Sequence, residues 1–273
     1  MNLGSNKQSP QDVVILSYAR TPFGAFQGAL ASVPSPRLGA RAIEAALQKA
    51  DLSKEHVSEV ILGNVLIAGV GQAPARQALR YAGLADEVPA LTINKVCGSG
   101  MKSILLGAQS LLSGESECVV AGGMENMSSA PYLLPGARDG LRMGNRPFID
   151  SMVHDGLWDP YSNQHMGNCA ELCAREKSFS REEQDAYAIE SFQRAQKAWE
   201  EGRFQDEVVS VTVPNRKGDV EVTQDEGPSK VKFDKIPKLK PVFDPSGTVT
   251  AANASTINDG AAALVLTLRA TAE

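Results

Sequence analysis

The chain has 273 residues and a mass of 29.0 kDa, long enough to bury a full core in one large or two modest domains. Apolar residues make up 42% and charged residues 22%, which excludes a disordered or collagen-like chain. A net charge of −5 without a long single-sign run argues against nucleic-acid binding, and no apolar run approaches the ~18 residues of a membrane helix. Residues Met1 to Gln11 are polar and carry neither an apolar signal core nor an Arg-rich transit pattern. The four cysteines include no Cys-x-x-Cys pair, so a reduced, cytoplasmic setting is expected.

Val13 to Ala19 is a buried-strand run rich in β-branched residues. Ser35-Pro36 offers an N-cap and a first-turn proline for a helix carrying Leu38, Ala42, Ala45 and Ala46 through Ala50. Val60 to Leu62 begins a second strand, Pro74 opens a helix that Gly83 stops, and Ala90 to Asn94 is a short strand. Met101 to Leu112 reads as a helix closed by Gly114, and Val119 to Gly122 as a strand. This alternation predicts a mostly parallel sheet covered by helices. Residues 123–246 are more irregular and read as an inserted subdomain. Ser180 and Glu183 form a capping box for a helix with Ala188, Phe192, Ala195 and Trp199 on one face. Glu207 to Val213 and Asp219 to Thr223 look like two strands joined by Arg216-Lys217-Gly218. Ala261 to Leu268 is a last strand, and no later segment offers it cover. No P-loop, dinucleotide fingerprint, His-Glu-x-x-His or Gly-x-Ser-x-Gly occurs.

The strongest candidate for chemistry is Cys97, in Ile93-Asn94-Lys95-Val96-Cys97-Gly98-Ser99-Gly100-Met101, where a predicted strand gives way to a predicted helix. A thiol at a helix N-terminus feels the positive end of the dipole, and free N–H groups there favour the thiolate. Gly98, Ser99 and Gly100 let another group approach the sulfur, and the Cys97 N–H is placed to donate to an oxyanion. A buried, inert cysteine is the competing reading of the same local pattern.

At Cys97 the chain resembles the thiolase family, whose acylated-cysteine signature looks like Asn94-Lys95-Val96-Cys97-Gly98-Ser99-Gly100-Met101-Lys102. Further family motifs follow in order. They are Ala19-Arg20-Thr21-Pro22-Phe23-Gly24, Gly71-Gln72-Ala73-Pro74-Ala75-Arg76-Gln77 and Ala121-Gly122-Gly123-Met124-Glu125-Asn126-Met127-Ser128, then His165-Met166-Gly167 and Thr248-Val249-Thr250-Ala251-Ala252-Asn253-Ala254-Ser255. The resemblance runs from residue 12 onward and is strongest to the short-chain, acetoacetyl-CoA group, the acetyl-CoA acetyltransferases. It implies an α/β fold in which residues 1–122 and 247–273 form a helix-covered mixed sheet of five strands, the last antiparallel. Residues 123–246 form an inserted loop domain. It also implies chemistry: a cysteine takes an acetyl group from acetyl-CoA, and a second acetyl-CoA attacks that thioester to give acetoacetyl-CoA and CoA.

The family's Gly-His-Pro histidine, its Cys-x-Gly base and its Asn-Glu-Ala-Phe asparagine have no counterpart here. None of the three histidines, His56, His154 and His165, precedes a proline. By resemblance the chain is therefore the N-terminal half of the family fold with its loop domain, lacks the C-terminal half, and is expected to be inactive alone. A non-catalytic partner that pairs with a C-terminal half or with intact thiolase subunits is the alternative. A decarboxylating condensing enzyme is disfavoured by the long loop domain and His-Met-Gly. The resemblance places His165 and Met166 on the substrate channel and Leu157 against CoA. Ala251, Ala254 and Ser255 fall at a strand edge that accepts the pantetheine arm, with Lys230 near the CoA phosphates; a turn serine and a solvated lysine are the plain alternatives. It implies coenzyme A thioesters as substrates, no separate cofactor, no nucleic-acid or membrane partner, and a homo-oligomer, dimer or tetramer, for the full-length form. A metal site from His165, Cys169 and Cys173 at i, i+4 and i+8 is unfavourable, because two helical turns put the outer pair about 12 Å apart.

Overall fold

A computed structural model describes residues 9–272; the polar stretch 1–8, read above as carrying no leader, lies outside the described residues. In chain order the first part forms β1 (Val13–Arg20), α1 (Ser35–Lys49), β2 (Glu59–Gly63), α2 (Pro74–Tyr81), β3 (Ala90–Ile93), α3 (Ser99–Ser113) and β4 (Cys118–Asn126). Residues 127–257 then contribute α4 (Ser151–Gly156), the hairpin β5 (Trp158–Asp159) and β6 (Gln164–His165), and helices α5 (Met166–Glu176) and α6 (Arg181–Glu200). A second hairpin, β7 (Val211–Val213) and β8 (Val220–Val222), follows before β9 (Asn258–Leu268) returns to the main sheet.

The main sheet runs β1-β9-β4-β2-β3, with Gly24–Ala25 added beside the start of β9. β2 pairs in parallel with both β3 and β4, whereas β9 is antiparallel to β1 and to β4, from Asp259↔Asn126 to Thr267↔Cys118. The sheet is thus mixed, as the resemblance implied, rather than mostly parallel by pairing. The expectation that the last strand lacks cover is corrected. β9 threads between β1 and β4, and earlier helices cover it. Its side chains alternate: Ala261, Ala263 and Val265 join the core under α1 and α2, while Leu264 and Leu266 face α3. β4 does the same with Val120 and Met124 on one side and Val119 and Ala121 on the other. Strands buried on both faces read as continuous apolar runs for this reason. α1 packs closely because half of its buried residues are Ala or Gly; a Cβ on Gly39 would meet Met124 Sδ at 2.6 Å.

Two local expectations change. Ser35 is the first helical residue and not the cap: the Pro34 carbonyl takes the Arg37 N–H at 2.9 Å, and the buried Ser35 hydroxyl has no partner. The second hairpin is shorter than the pattern suggested, because residues around Glu207 pair with β1 instead. Arg20 N donates to Glu207 O at 2.8 Å, and Val209 N to Arg20 O at 2.8 Å. The Arg20 guanidinium completes this tie, reaching Glu207 Oε1 at 2.7 Å and both Asp225 oxygens at 2.8 and 3.0 Å. The capping box of α6 forms: Glu183 N donates to Ser180 Oγ at 3.2 Å, and Ser180 N to Glu183 Oε2 at 2.8 Å.

Candidate active site

β3 and α3 are joined by a tight elbow that carries Cys97. Val96 holds a left-handed backbone, φ 48°, which is costly for a β-branched residue and persists only where neighbours over-determine it. Ser99 and Asn94 do so. Lys95 N donates to Ser99 Oγ at 2.8 Å, Ser99 Oγ donates to Val96 O at 2.6 Å, and Val96 N donates to Asn94 Oδ1 at 2.9 Å. The helix begins at Ser99 with Gly98 as its cap, so Cys97 lies just before the helix rather than in its first turn. The Gly98 and Ser99 N–H groups are taken by Lys95 O and Val96 O at 3.1 Å each, so they are not aimed at the thiol as the sequence argument supposed. The small residues serve helix-to-sheet packing. A Cβ on Gly63 would meet Ser99 Cβ at 2.6 Å, and one on Gly123 would meet Gly100 Cα at 3.3 Å.

Cys97 is exposed and lines a cavity of about 550 Å³ at the carboxyl ends of the parallel strands, where α/β sheets generally seat ligands. The cavity walls come from Gly63 at the end of β2 and Asn64 just after it, Gly123 and Glu125 in β4, and Leu157 after α4. Phe23 and the first residues of β9 close another side. The lining is mostly apolar. Glu125 is its one carboxylate, and burial pushes that carboxyl above its ordinary range. It is fully engaged: Oε1 accepts from Asn64 Nδ2 at 2.7 Å and Leu66 N at 3.2 Å, and Oε2 accepts from Val65 N at 2.8 Å. Asn64 Oδ1 is buried without a partner. Cys118, by contrast, is buried at the far end of β4, and desolvation pushes its thiol up to about 11.

The residues expected along one channel fall in separate places. Leu157 shares the Cys97 cavity. His165 and Met166 line neither that cavity nor the next one; Met166 N donates to Leu157 O at 2.8 Å, which ties them to its wall. His165 stacks on Phe243 with ring centroids 4.8 Å apart, and its Nδ1 accepts from Gly167 N at 2.9 Å. Burial holds its imidazole below its ordinary value, and with Nδ1 accepting, the neutral ring carries its proton on Nε2. Ala251 and Lys230 line a second cavity of about 340 Å³, together with Lys232, Lys235, Ile236 and Leu239. Lys230 Nζ is held by Glu226 Oε1 at 2.6 Å, whereas Lys232 and Lys235 form no salt bridge among the described residues. Ala254 and Ser255 line neither cavity. The segment 250–255 is a compact turn and not a strand edge: Thr250 N donates to Asn253 Oδ1 at 2.7 Å, and Ala254 N to Thr250 O at 3.0 Å. His165 is the N-cap of α5, with an extended backbone, just ahead of the helix that carries Cys169 and Cys173.

Sequence reasoning missed three carboxylates that shape these walls: Glu125, Glu171 and Asp185. Glu125 stands beside Met124 on an apolar strand, which was its available signal; Glu171 and Asp185 stand on helices, where a carboxylate looks solvated. Glu171, 2% exposed, accepts from Thr248 N at 3.0 and 2.9 Å and from Val249 N at 2.7 Å.

Set against known proteins, residues 13–270 match the family described as thiolase, N-terminal domain. The chain is 54% identical to an acetyl-CoA acetyltransferase of Cupriavidus necator over 257 residues, covering 93% of this chain and 65% of that protein. It is 55% identical to a mitochondrial acetyl-CoA acetyltransferase of Danio rerio over 264 residues, 96% of this chain and 62% of the other. It is 53% identical to an acetyl-CoA acetyltransferase of Pseudomonas aeruginosa over 258 residues, 94% and 66%. The chain thus spans about two thirds of the length of the curated relatives it matches. With its mixed sheet, its elbow cysteine and this match over nearly its whole length, the chain belongs to the thiolase family.

Proposed function

We propose that this chain carries the acyl-accepting thiol of an acetyl-CoA C-acetyltransferase. The observation that carries this reading is the exposed Cys97, held on a strained elbow above a mostly apolar 550 Å³ cavity at the carboxyl ends of the strands. The Cys97 thiolate attacks the carbonyl carbon of acetyl-CoA, the tetrahedral oxyanion collapses, and CoA leaves as its thiolate while a thioester forms at Cys97. A second acetyl-CoA then gives up an α-proton, its carbanion attacks that thioester, and Cys97 is released with acetoacetyl-CoA. His165, neutral with its proton on Nε2, is suited to donate to a thioester or pantetheine carbonyl. The second cavity, rimmed by Lys232 and Lys235, suits the CoA phosphates, with Ala251 in its lining placed to meet the pantetheine. Several relatives are named as mitochondrial, among them the Danio rerio protein. For this chain the four unpaired thiols support a reducing compartment, with the cytoplasm as our proposal. A dimer or tetramer of the full-length protein follows from the family likeness alone.

One observation favours a further role alongside this. The outer face of α3 exposes Met101, Leu105 and Leu112. Such an apolar stripe suits docking of a second α/β half. The test of the main reading is intact-mass measurement after incubation with acetyl-CoA. One acetyl increment, mapped to Cys97 and absent in Cys97→Ala, is expected; acetylation only at lysines would overturn it.

A further inference from the structure

The two walls of the lysine-rimmed cavity belong to chain segments 236–239 and 250–253, and a single buried carboxylate on α6 joins them. Asp185 is 6% exposed. Its Oδ1 accepts from Asn253 Nδ2 at 2.9 Å, and its Oδ2 accepts from Arg181 Nε at 2.7 Å. Asn253 passes the constraint to one wall, since its Oδ1 accepts from Thr250 N at 2.7 Å and its Nδ2 also donates to Thr248 O at 3.1 Å. Arg181 passes it to the other, donating from Nη2 to Ile236 O at 3.0 Å and Leu239 O at 2.9 Å. Ile236 and Leu239 line one side of the cavity, and Ala251 and Ala252 the other. Glu171, on the neighbouring helix α5, fixes only the Thr248–Val249 end. Asp185 thus reaches one wall through the Asn253 side chain on that wall and the other through Arg181, its neighbour one turn earlier on α6. A buried carboxylate with a charged partner and an amide donor is held in one geometry, because the alternative is an unpaired buried charge.

We infer that Asp185 is a positioning residue that fixes the distance between these walls, and that it thereby controls binding of the nucleotide end of a CoA thioester without touching the acyl group at Cys97. This rests on the reading of the cavity as the CoA-phosphate site given under Proposed function. The chemistry predicts a split between two acyl donors. Acetyl-CoA reaches the cavity; S-acetyl-N-acetylcysteamine carries the same thioester with no nucleotide and does not.

The experiment uses the 273-residue chain, its Asp185→Asn and Asn253→Ala variants, and single-turnover acetylation of Cys97 read by mass. In wild type the rate at limiting donor favours acetyl-CoA. In both variants the ratio of the two rates falls about tenfold, the loss expected for one charge-assisted hydrogen bond. Amide hydrogen exchange without ligand accompanies it: segments 236–239 and 250–254 speed up together in Asp185→Asn. Equal slowing with both donors marks general damage and overturns the inference, as does loosening of one segment alone or an unchanged ratio. A wild type that shows no preference for acetyl-CoA overturns the CoA reading of the cavity itself, and the binding part of this inference with it, even where the exchange result stands.

Discussion

Ser99 Oγ bonds the elbow on both sides of Val96, accepting from Lys95 N and donating to Val96 O, so one hydroxyl holds a β-branched residue at φ 48°. The hydroxyl is nearly inaccessible, with Ser99 4% exposed, and water does not readily replace it. Ser99→Ala is therefore expected to destabilise the chain by about 1–3 kcal/mol, the cost of leaving buried partners unpaired. It should also slow acetylation of Cys97 as the elbow relaxes. Val96→Gly removes the steric cost of the left-handed conformation and exposes no core, since Val96 is half exposed. It should change stability by no more than about 1 kcal/mol. Urea unfolding of the two variants checks both, and a Val96→Gly loss larger than that of Ser99→Ala contradicts the account.

The four cysteines should react in a fixed order. Cys97 is exposed beside the cavity, Cys173 is exposed on α5, Cys169 is half buried, and Cys118 is buried with its thiol held neutral by desolvation. With limiting iodoacetamide near neutral pH, Cys97 is modified first and Cys118 last, because attack needs both access and thiolate. Peptide mapping decides it; modification of Cys118 before Cys97 in folded protein is incompatible with this placement.

Gly122 sits where β4 meets β9 most tightly. A Cβ there would run into Ala262 O and lie 2.9 Å from Ala263 Cα, both backbone atoms that cannot rotate away. Gly122→Ala thus forces apart the central pair of the sheet, and the expected outcome is insoluble or unfolded protein. A folded variant with an unchanged melting temperature would mean that the strand register differs from the one described.

Most elements were legible because their signals are local and strong: the β-branched run of β1, Pro74 opening α2, the Ser180–Glu183 box and the glycine stop at Gly114. The place of β9 was not, since its antiparallel insertion between β1 and β4 is a long-range pairing that periodicity does not encode. Cys97 was legible from its flanking glycines, but one of their roles was not. Gly100 also admits the helix to the strands at Gly63 and Gly123, a packing role that the local pattern does not announce. Asp185 and Glu171 were missed because a carboxylate on an amphipathic helix looks solvated until the partner strand or turn is known. The segment 250–255 is a turn where the resemblance implied a strand edge, and Asn253, which caps Thr250, is itself held by Asp185, far away in sequence.

Stability around His165 should depend on pH in a stated direction. Burial lowers its folded-state value below the ordinary imidazole value, so the unfolded chain binds more protons in the window between the two. Stability therefore rises with pH through that window, and is lost as pH falls from about 6.5 through the lower folded value. His165→Gln, which keeps an acceptor for Gly167 N, should flatten that part of the profile. Melting temperatures at a series of pH values would show it; a wild-type chain more stable at pH 5 than at pH 7 because of His165 has the wrong sign.

The last expectation concerns turnover. Forming the Cys97 thiolate and removing an α-proton each need a base within hydrogen-bond reach, and the groups around the Cys97 cavity do not supply one. No histidine lines it. His56 shares a separate cavity with Cys118, His154 is bound at the surface to Asp155 at 2.9 Å, and His165 lies in the β5–β6 hairpin against Phe243. Glu125 lines the cavity, but both its oxygens are committed to Asn64, Val65 and Leu66, and burial favours its neutral form. The family's Gly-His-Pro and Cys-x-Gly motifs are absent from these 273 residues. A thioester can still exchange onto Cys97, since that step needs only the thiolate fraction already present. The expected result is slow, single acetylation of Cys97 by acetyl-CoA without steady-state thiolysis of acetoacetyl-CoA. Losing one oxyanion donor alone typically costs ~10²–10³ in rate, and two missing bases act on the same steps, so the deficits do not simply add. The assay is thiolysis by the purified chain with Cys97→Ala as control. Robust turnover that depends on Cys97 would require Glu125 or His165 to serve as the base, and Glu125→Gln and His165→Gln would then identify which.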